Sequence, residues 1–154
     1  MRGLRVLLIL SLGLPACGGD SDHFTRLRAG TPREREDAAA YLGAHRVAGA
    51  VPHLRRALRD TVPEVRAKAV WALGMLGAGE ALPDLTPLLK DRSRRLRQQA
   101  AVAIMHIERP EAIAALEIAM RTERDPWVRS DLARAIEHLK QFVGESDIAE
   151  GTFR

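Results

Sequence analysis

The residues able to carry chemistry are few and dispersed. Five histidines occur in the 154 residues, His23, His45, His53, His106 and His138. No two stand four apart, the spacing that places two metal ligands on one helix face. One cysteine, Cys17, leaves no thiol for an internal disulfide. There is no Gly-rich phosphate loop after a strand pattern and no nucleophile elbow. No cofactor, metal or catalytic group is therefore expected. What recurs is charge. Arg35, Arg66, Arg97 and Arg129 form one series, Asp60, Asp91 and Asp125 a second, and Arg28, Arg59, Lys90 and Arg121 a third. Arginine with carboxylate is the chemistry of bidentate ion pairs, and cations at helix ends answer the helix dipole.

The elements that must position these groups follow from the same recurrence. A step of 31 residues takes Arg35 to Arg66 and Arg97, Leu42 to Leu73 and Ile104, and Leu54 to Leu85 and Leu116. A further step of 32 reaches Arg129, Leu132, Ala135 and Ile136, where a fourth unit begins. A fixed period of this size is the signature of a solenoid. Within the unit from Asp60 to Lys90, Val65, Ala69, Ala72, Leu73 and Leu76 form one helical stripe. Leu82, Leu85, Leu88 and Leu89 form another. Gly74, Gly77 and Gly79 break the pair, as Gly43 and Gly49 do one unit earlier. Pro52 and Pro83 sit early in the second helices, where a missing N–H costs little. An isolated pair cannot bury both stripes, so neighbouring units must stack.

Asp60, Val65-Arg66, Ala69, Ala72-Leu73-Gly74 and Leu82-Pro83 resemble the short HEAT-like repeat named after phycobilisome lyases. The resemblance spans 32–141. It implies an all-α fold, a right-handed α-α superhelix (a HEAT-like α-solenoid) of about three and a half helix pairs. It also implies that Arg35, Arg66, Arg97 and Arg129, with Asp60, Asp91 and Asp125, are scaffold residues, and that second helices line the concave surface. On that surface His53, Arg55, Arg56 and Arg59 form a basic patch. With Lys90, Arg121 and the exposed-reading Trp127 they are the candidate partner-binding residues, suited to an acidic protein segment or anionic headgroups. Repeat hydroxylases on this scaffold carry His-Glu dipeptides for iron, and none occurs here.

Residues 1–16 read as a leader, with basic Arg2 and Arg5, an apolar run from Val6 to Leu14, and too short a span for a permanent membrane helix. Leu14-Pro15-Ala16-Cys17 resembles the lipobox of bacterial lipoproteins, which implies cleavage before Cys17 and its lipidation. Residues 17–31 then read as a flexible tether. Leu27 and Arg28 lie 31 before Leu58 and Arg59, which leaves a capping helix and a plain linker both open there. Residues 142–154 carry Gly144 and Gly151 and no helical stripe, and read as a tail.

The precursor holds 24 Lys and Arg against 20 Asp and Glu. Loss of Arg2 and Arg5 leaves it near neutral, so nucleic acid is not an expected partner. The leading expectation is a non-enzymatic scaffold of the cell envelope, lipid-anchored, with the outer membrane weakly favoured. Its partner is a protein or peptide held on the groove, and no small-molecule substrate is expected. The competing class is an enzyme or enzyme subunit, because the resembled family includes lyases that attach bilins. A purely structural module of an envelope complex is a third.

Overall fold

The computed structural model describes residues 18–151, and every regular element among them is helical. Residues 1–17, over which a leader and a lipidated Cys17 are expected, lie outside the described residues. α1 (Gly18–Ala29) precedes α2 (Pro32–Ala44) and α3 (Ala50–Ala57). α4 (Pro63–Met75) is followed by a 3₁₀ turn (Gly79–Ala81), α5 (Leu82–Leu85) and a second 3₁₀ stretch (Thr86–Lys90). α6 (Arg94–Ile107), a 3₁₀ turn (Pro110–Ala112), α7 (Ile113–Thr122) and α8 (Pro126–Gly151) complete the chain. α2, α4, α6 and α8 pack side by side as one layer, and the second helices form the other. This is an all-α, HEAT-like solenoid.

Local chemistry fixes the helix ends. Thr31 and Glu34 make a capping box in which the Glu34 carboxylate accepts from the Thr31 backbone N–H at 2.7 Å. Ser93 caps α6, and Asp125 caps α8 by accepting from the N–H groups of Trp127 at 2.9 Å and Val128 at 3.2 Å. Pro32, Pro63 and Pro126 each occupy the first helical position. At the other end, Val47 N–H bonds Leu42 O while Arg46 N–H bonds Gly43 O, and Ala78 and Gly77 repeat this on Leu73 and Gly74. That is a Schellman closure, and it needs a left-handed residue. Arg46 (φ 48°), Gly77 (φ 62°) and Glu108 (φ 54°) fill this place at intervals of 31. Only the middle unit uses glycine.

The core is two rows of equivalent residues. Leu42, Leu73 and Ile104 come from first helices, and Leu54, Leu85 and Leu116 from second ones; all six are fully buried. Each such side chain contributes about 1.5–3 kcal/mol on leaving water. No polar or charged residue is buried among the described residues. First helices meet closely because small residues face each other. A Cβ added to Gly43 would stand 2.6 Å from Ala72 Cα, and one added to Gly74 would stand 2.8 Å from Ala103 Cα.

Three expectations differ from the fold. The tether expected over 17–31 is helical from Gly18 onward, and Leu27 is buried while Phe24 packs on the core. α1 therefore covers the exposed stripes of α2 and α3 as a lone second helix. The tail expected to lack helix from 142 onward continues α8 to Gly151. One glycine inside a helix costs only about 1 kcal/mol, and no proline interrupts the stretch. The continuous second helix expected between Ala81 and Lys90 is only one turn of α-helix, then 3₁₀. Pro87 has no N–H to offer the carbonyl of Pro83, so α-helical bonding cannot run through it.

Candidate functional site

The Arg series occupies the starts of the first helices, and each member binds carbonyls of the junction preceding its own helix. Arg35 Nη1 donates to Gly30 O at 2.8 Å, Arg66 Nη1 to Asp60 O at 2.8 Å, Arg97 Nη1 to Asp91 O at 3.0 Å and Arg129 Nη1 to Glu123 O at 3.1 Å. Two also reach forward to a carboxylate of the next junction. Arg35 holds Asp60 through two bonds of 2.7 and 3.0 Å, and Arg97 holds Glu123 through bonds of 2.6 and 3.2 Å. The guanidinium forks hold the Asp60 and Glu123 carboxyls below their ordinary range, and the arginines are raised in return.

The Asp series does not behave as one column. Asp60 serves Arg35, but the partner of Arg97 is Glu123, two residues before Asp125. Glu123 stands 32 after Asp91, in register with Asp60 and Asp91, whereas Asp125 stands 34 after Asp91. Asp125 instead caps α8 and meets Arg94 at 3.2 Å. Asp91 accepts from Ser93 N–H at 2.7 Å, and Arg66 is held by carbonyls alone. All these groups are engaged within the scaffold, in helix junctions or between units.

The seven candidate partner-binding residues are not gathered into one site. His53 and Arg56 are exposed on α3, and Arg59 is exposed just beyond its end. Arg28 from α1, His53 and Arg56 border one cleft with Asp60, of about 110 Å³. Arg56 and Arg59 border a second, of about 290 Å³, with Pro52, Arg55 and Asp84. Arg55 departs from the expectation, because it is tied to Asp84 of the following unit. Asp84 stands 31 after His53, so the drift in sequence at that position creates an inter-unit ion pair. Lys90 is exposed but borders a different cleft, with Arg97, Glu123 and Arg124. Arg121 is exposed at the end of α7, within electrostatic reach of Glu117. Trp127 is 66% exposed, yet it stands at the start of α8 on the first-helix layer, away from the second helices.

Thus Arg28, His53, Arg56 and Arg59 form the compact part of the patch, and no ion pair engages the three arginines among the described residues. Arg28 enters it because α1 is helical. Its sequence signal was the 31-residue offset from Arg59. No spacing or motif announces the aromatic cluster that lies beside the patch. His23 stacks on Tyr41 with centroids 3.7 Å apart, Tyr41 on His45 at 4.0 Å, and Phe24 lies 4.7 Å from His53. These contacts bind α1 to α2 and α3 and hold the His53 ring in place. No group of three or more His, Cys, Asp or Glu is arranged to hold a metal among the described residues. Nor is any helix there long and apolar enough to cross a membrane.

Comparison with known proteins agrees with this geometry. No curated protein matches the chain by sequence. Among solved structures, an engineered protein superposes with a TM-score of 0.62 at 24% identity, covering 81% of this chain. This chain spans 64% of that protein's length. The complex of CpcE and CpcF of phycocyanin lyase from Nostoc sp. PCC7120 superposes with a TM-score of 0.59 at 20% identity, over 84% of this chain and 69% of that one. At these identities the likeness is one of fold. The family described as HEAT repeats matches residues 24–89 and again 63–137. With three equivalent helix-pair cores and a shared capping geometry on the page, the chain belongs to the HEAT-repeat family.

Proposed function

We propose that this protein is a non-enzymatic interaction scaffold, anchored to a bacterial envelope membrane through lipid on Cys17, that holds an acidic segment of a partner protein on its second-helix surface. The observation that carries this reading is the group Arg28, Arg56 and Arg59 beside His53. Their charges are exposed and uncompensated, whereas Arg35, Arg55 and Arg97 are spent on ion pairs between units. Three unpaired guanidinium groups on a rigid helical face raise the local concentration of an anionic partner and fix its register. The lipid would hold the scaffold at the membrane, converting encounter with a membrane partner into a two-dimensional search.

Two measurements test the parts separately. Protein purified from membranes should begin at Cys17 with added acyl mass, while Cys17→Ala should remain unprocessed; a soluble chain retaining Met1 removes the anchor. Partner binding should weaken at least tenfold in Arg56→Glu/Arg59→Glu and fall with rising salt. Unchanged affinity moves the site elsewhere. A bilin-lyase-like enzyme or enzyme subunit is the alternative, supported by the fold it shares with the CpcE–CpcF complex. Bilin transfer by a cytoplasmic, unprocessed chain would establish that reading instead.

A further inference from the structure

The first-helix layer carries a cleft that the basic patch does not use. It lies between α4 and α6, holds about 370 Å³, and is lined by Trp71, Arg95, Gln98, Gln99, Val102 and His106. This volume falls within the range of functional binding sites.

Three features specify its occupant. Trp71 and Val102 give the cleft an apolar wall. The lining carries one formal positive charge and no negative one, since Arg95 has no ion-pair partner among the described residues and no carboxylate lines the space; His106 lies three turns along the same helix. Finally, the Gln99 carbonyl oxygen is sealed from solvent without any hydrogen-bond partner. Such an atom costs about 1–3 kcal/mol where it stands. Gln99 also lines the cleft, and its amide has no hydrogen bond to break on turning, so a donor seated there can satisfy the carbonyl oxygen. Gln98 differs, as its amide donates to Asp131 at 3.0 Å and is held in place.

We infer that this cleft is a second binding site, which takes an apolar side chain from an acidic peptide segment. The apolar side chain packs on Trp71 and Val102. A backbone N–H of the segment donates to Gln99, and flanking carboxylates meet Arg95 at one end and His106 at the other. A small molecule is a poorer fit, because the space between two surface helices is open on one side. A chain can cross such a space and leave one residue in it. This site is independent of the basic patch, which lies on the other helical layer.

The test uses the full-length protein and a blocked peptide, acetyl-Glu-Glu-Leu-Glu-Glu-amide, followed by ¹H–¹⁵N NMR. Saturable shifts are expected at the Trp71 indole N–H and the Gln99 side-chain amide, with the Trp127 indole as an unmoved internal reference. Arg95→Glu should weaken binding at least tenfold, and Gln99→Leu severalfold, while Arg56→Glu/Arg59→Glu should leave these shifts intact. A Lys-for-Glu version of the peptide should not bind. The inference is overturned if the Trp71 and Gln99 signals stay still at millimolar peptide, if the basic peptide moves them equally, or if the shifts vanish in Arg56→Glu/Arg59→Glu instead. Dispersed spectra of each variant establish that it is folded.

Discussion

Glu123 and Arg97 show how a single ion pair can hold two units together. The carboxylate is 7% exposed and also accepts the N–H groups of Arg124 and Asp125, each at 2.9 Å, so it organises the whole turn before α8. Glu123→Gln removes the charge and leaves a near-isosteric amide, and it should lower stability at neutral pH by about 1–2 kcal/mol. The direction of its pH dependence follows from the depressed carboxyl. The native state binds the proton less tightly than the unfolded chain, whose value is near 4.5. Stability from this pair is therefore present above that value and is lost as pH falls through the native one. Asp60 behaves in the same way from an unfolded value near 3.8, because Arg35 holds it. Urea unfolding at pH 7, 5 and 3 should give a shallower acid loss in Asp60→Asn/Glu123→Gln than in the wild type. An unchanged acid limb would assign the pH dependence to other carboxylates. The sequence displayed both arginines and pointed to Asp125. Glu123 lies at the step of 32 from Asp91, but a series followed by residue type runs to Asp125, and the path of the turn decides which carboxylate faces the fork.

At the scale of the element, helix propensity and helix packing make opposite predictions for the glycines of the first helices. A glycine within a helix is normally about 0.5–1 kcal/mol worse than alanine. Gly43, however, faces Ala72 so closely that a new Cβ would overlap its backbone, with Trp71 only 3.1 Å away. Gly43→Ala should therefore destabilise the protein by about 1–3 kcal/mol, the cost of overpacking. Thermal unfolding settles the sign, and a raised melting temperature would show that the two helices separate without loss. The recurrence of Gly43 and Gly74 was legible in the sequence, but their service in a close helix contact was not. As residues before a break they read as terminators. The true terminating position is the left-handed one three residues later, occupied by Arg46, Gly77 and Glu108. Side-chain type conceals that position in two of three units, because the hydrogen-bonded closure tolerates a non-glycine residue at a cost of about 1–2 kcal/mol.

For the molecule as a whole, the two ends of the stack are finished differently. At the front, α1 covers the first pair, with Leu27 only 6% exposed. Leu27→Ala should cost about 1.5–3 kcal/mol and raise amide exchange in α2 and α3 before α6. Stability and exchange like the wild type would return this segment to a linker. At the back, Ser130, Ala133 and Glu137 of α8 are exposed. Their equivalents in the middle of the stack include the buried Val70 and Ala101 and the buried Gly74. Lys140 to Glu117 at 2.8 Å and His138 to Glu108 at 3.3 Å tie this last helix to the unit before it. This outer face of α8 is therefore more polar than the equivalent faces of α4 and α6.

The 31-residue period by itself determined the helix pairs, their stacking and the two rows of core leucines and isoleucine, because a repeated apolar stripe has only its neighbours to bury against. It also exposed the arginine series, since equivalent positions in a stack share an environment. Tertiary structure decided the rest. It made α1 a cap, spent Arg55 on Asp84 while leaving Arg28, Arg56 and Arg59 exposed, placed Trp127 on the opposite layer from them, and set Trp71 and Gln99 around a common cleft. Each of these depends on which side chains from different units come within hydrogen-bonding or van der Waals reach. That is fixed by the angle and spacing between helices, which a one-dimensional period does not contain.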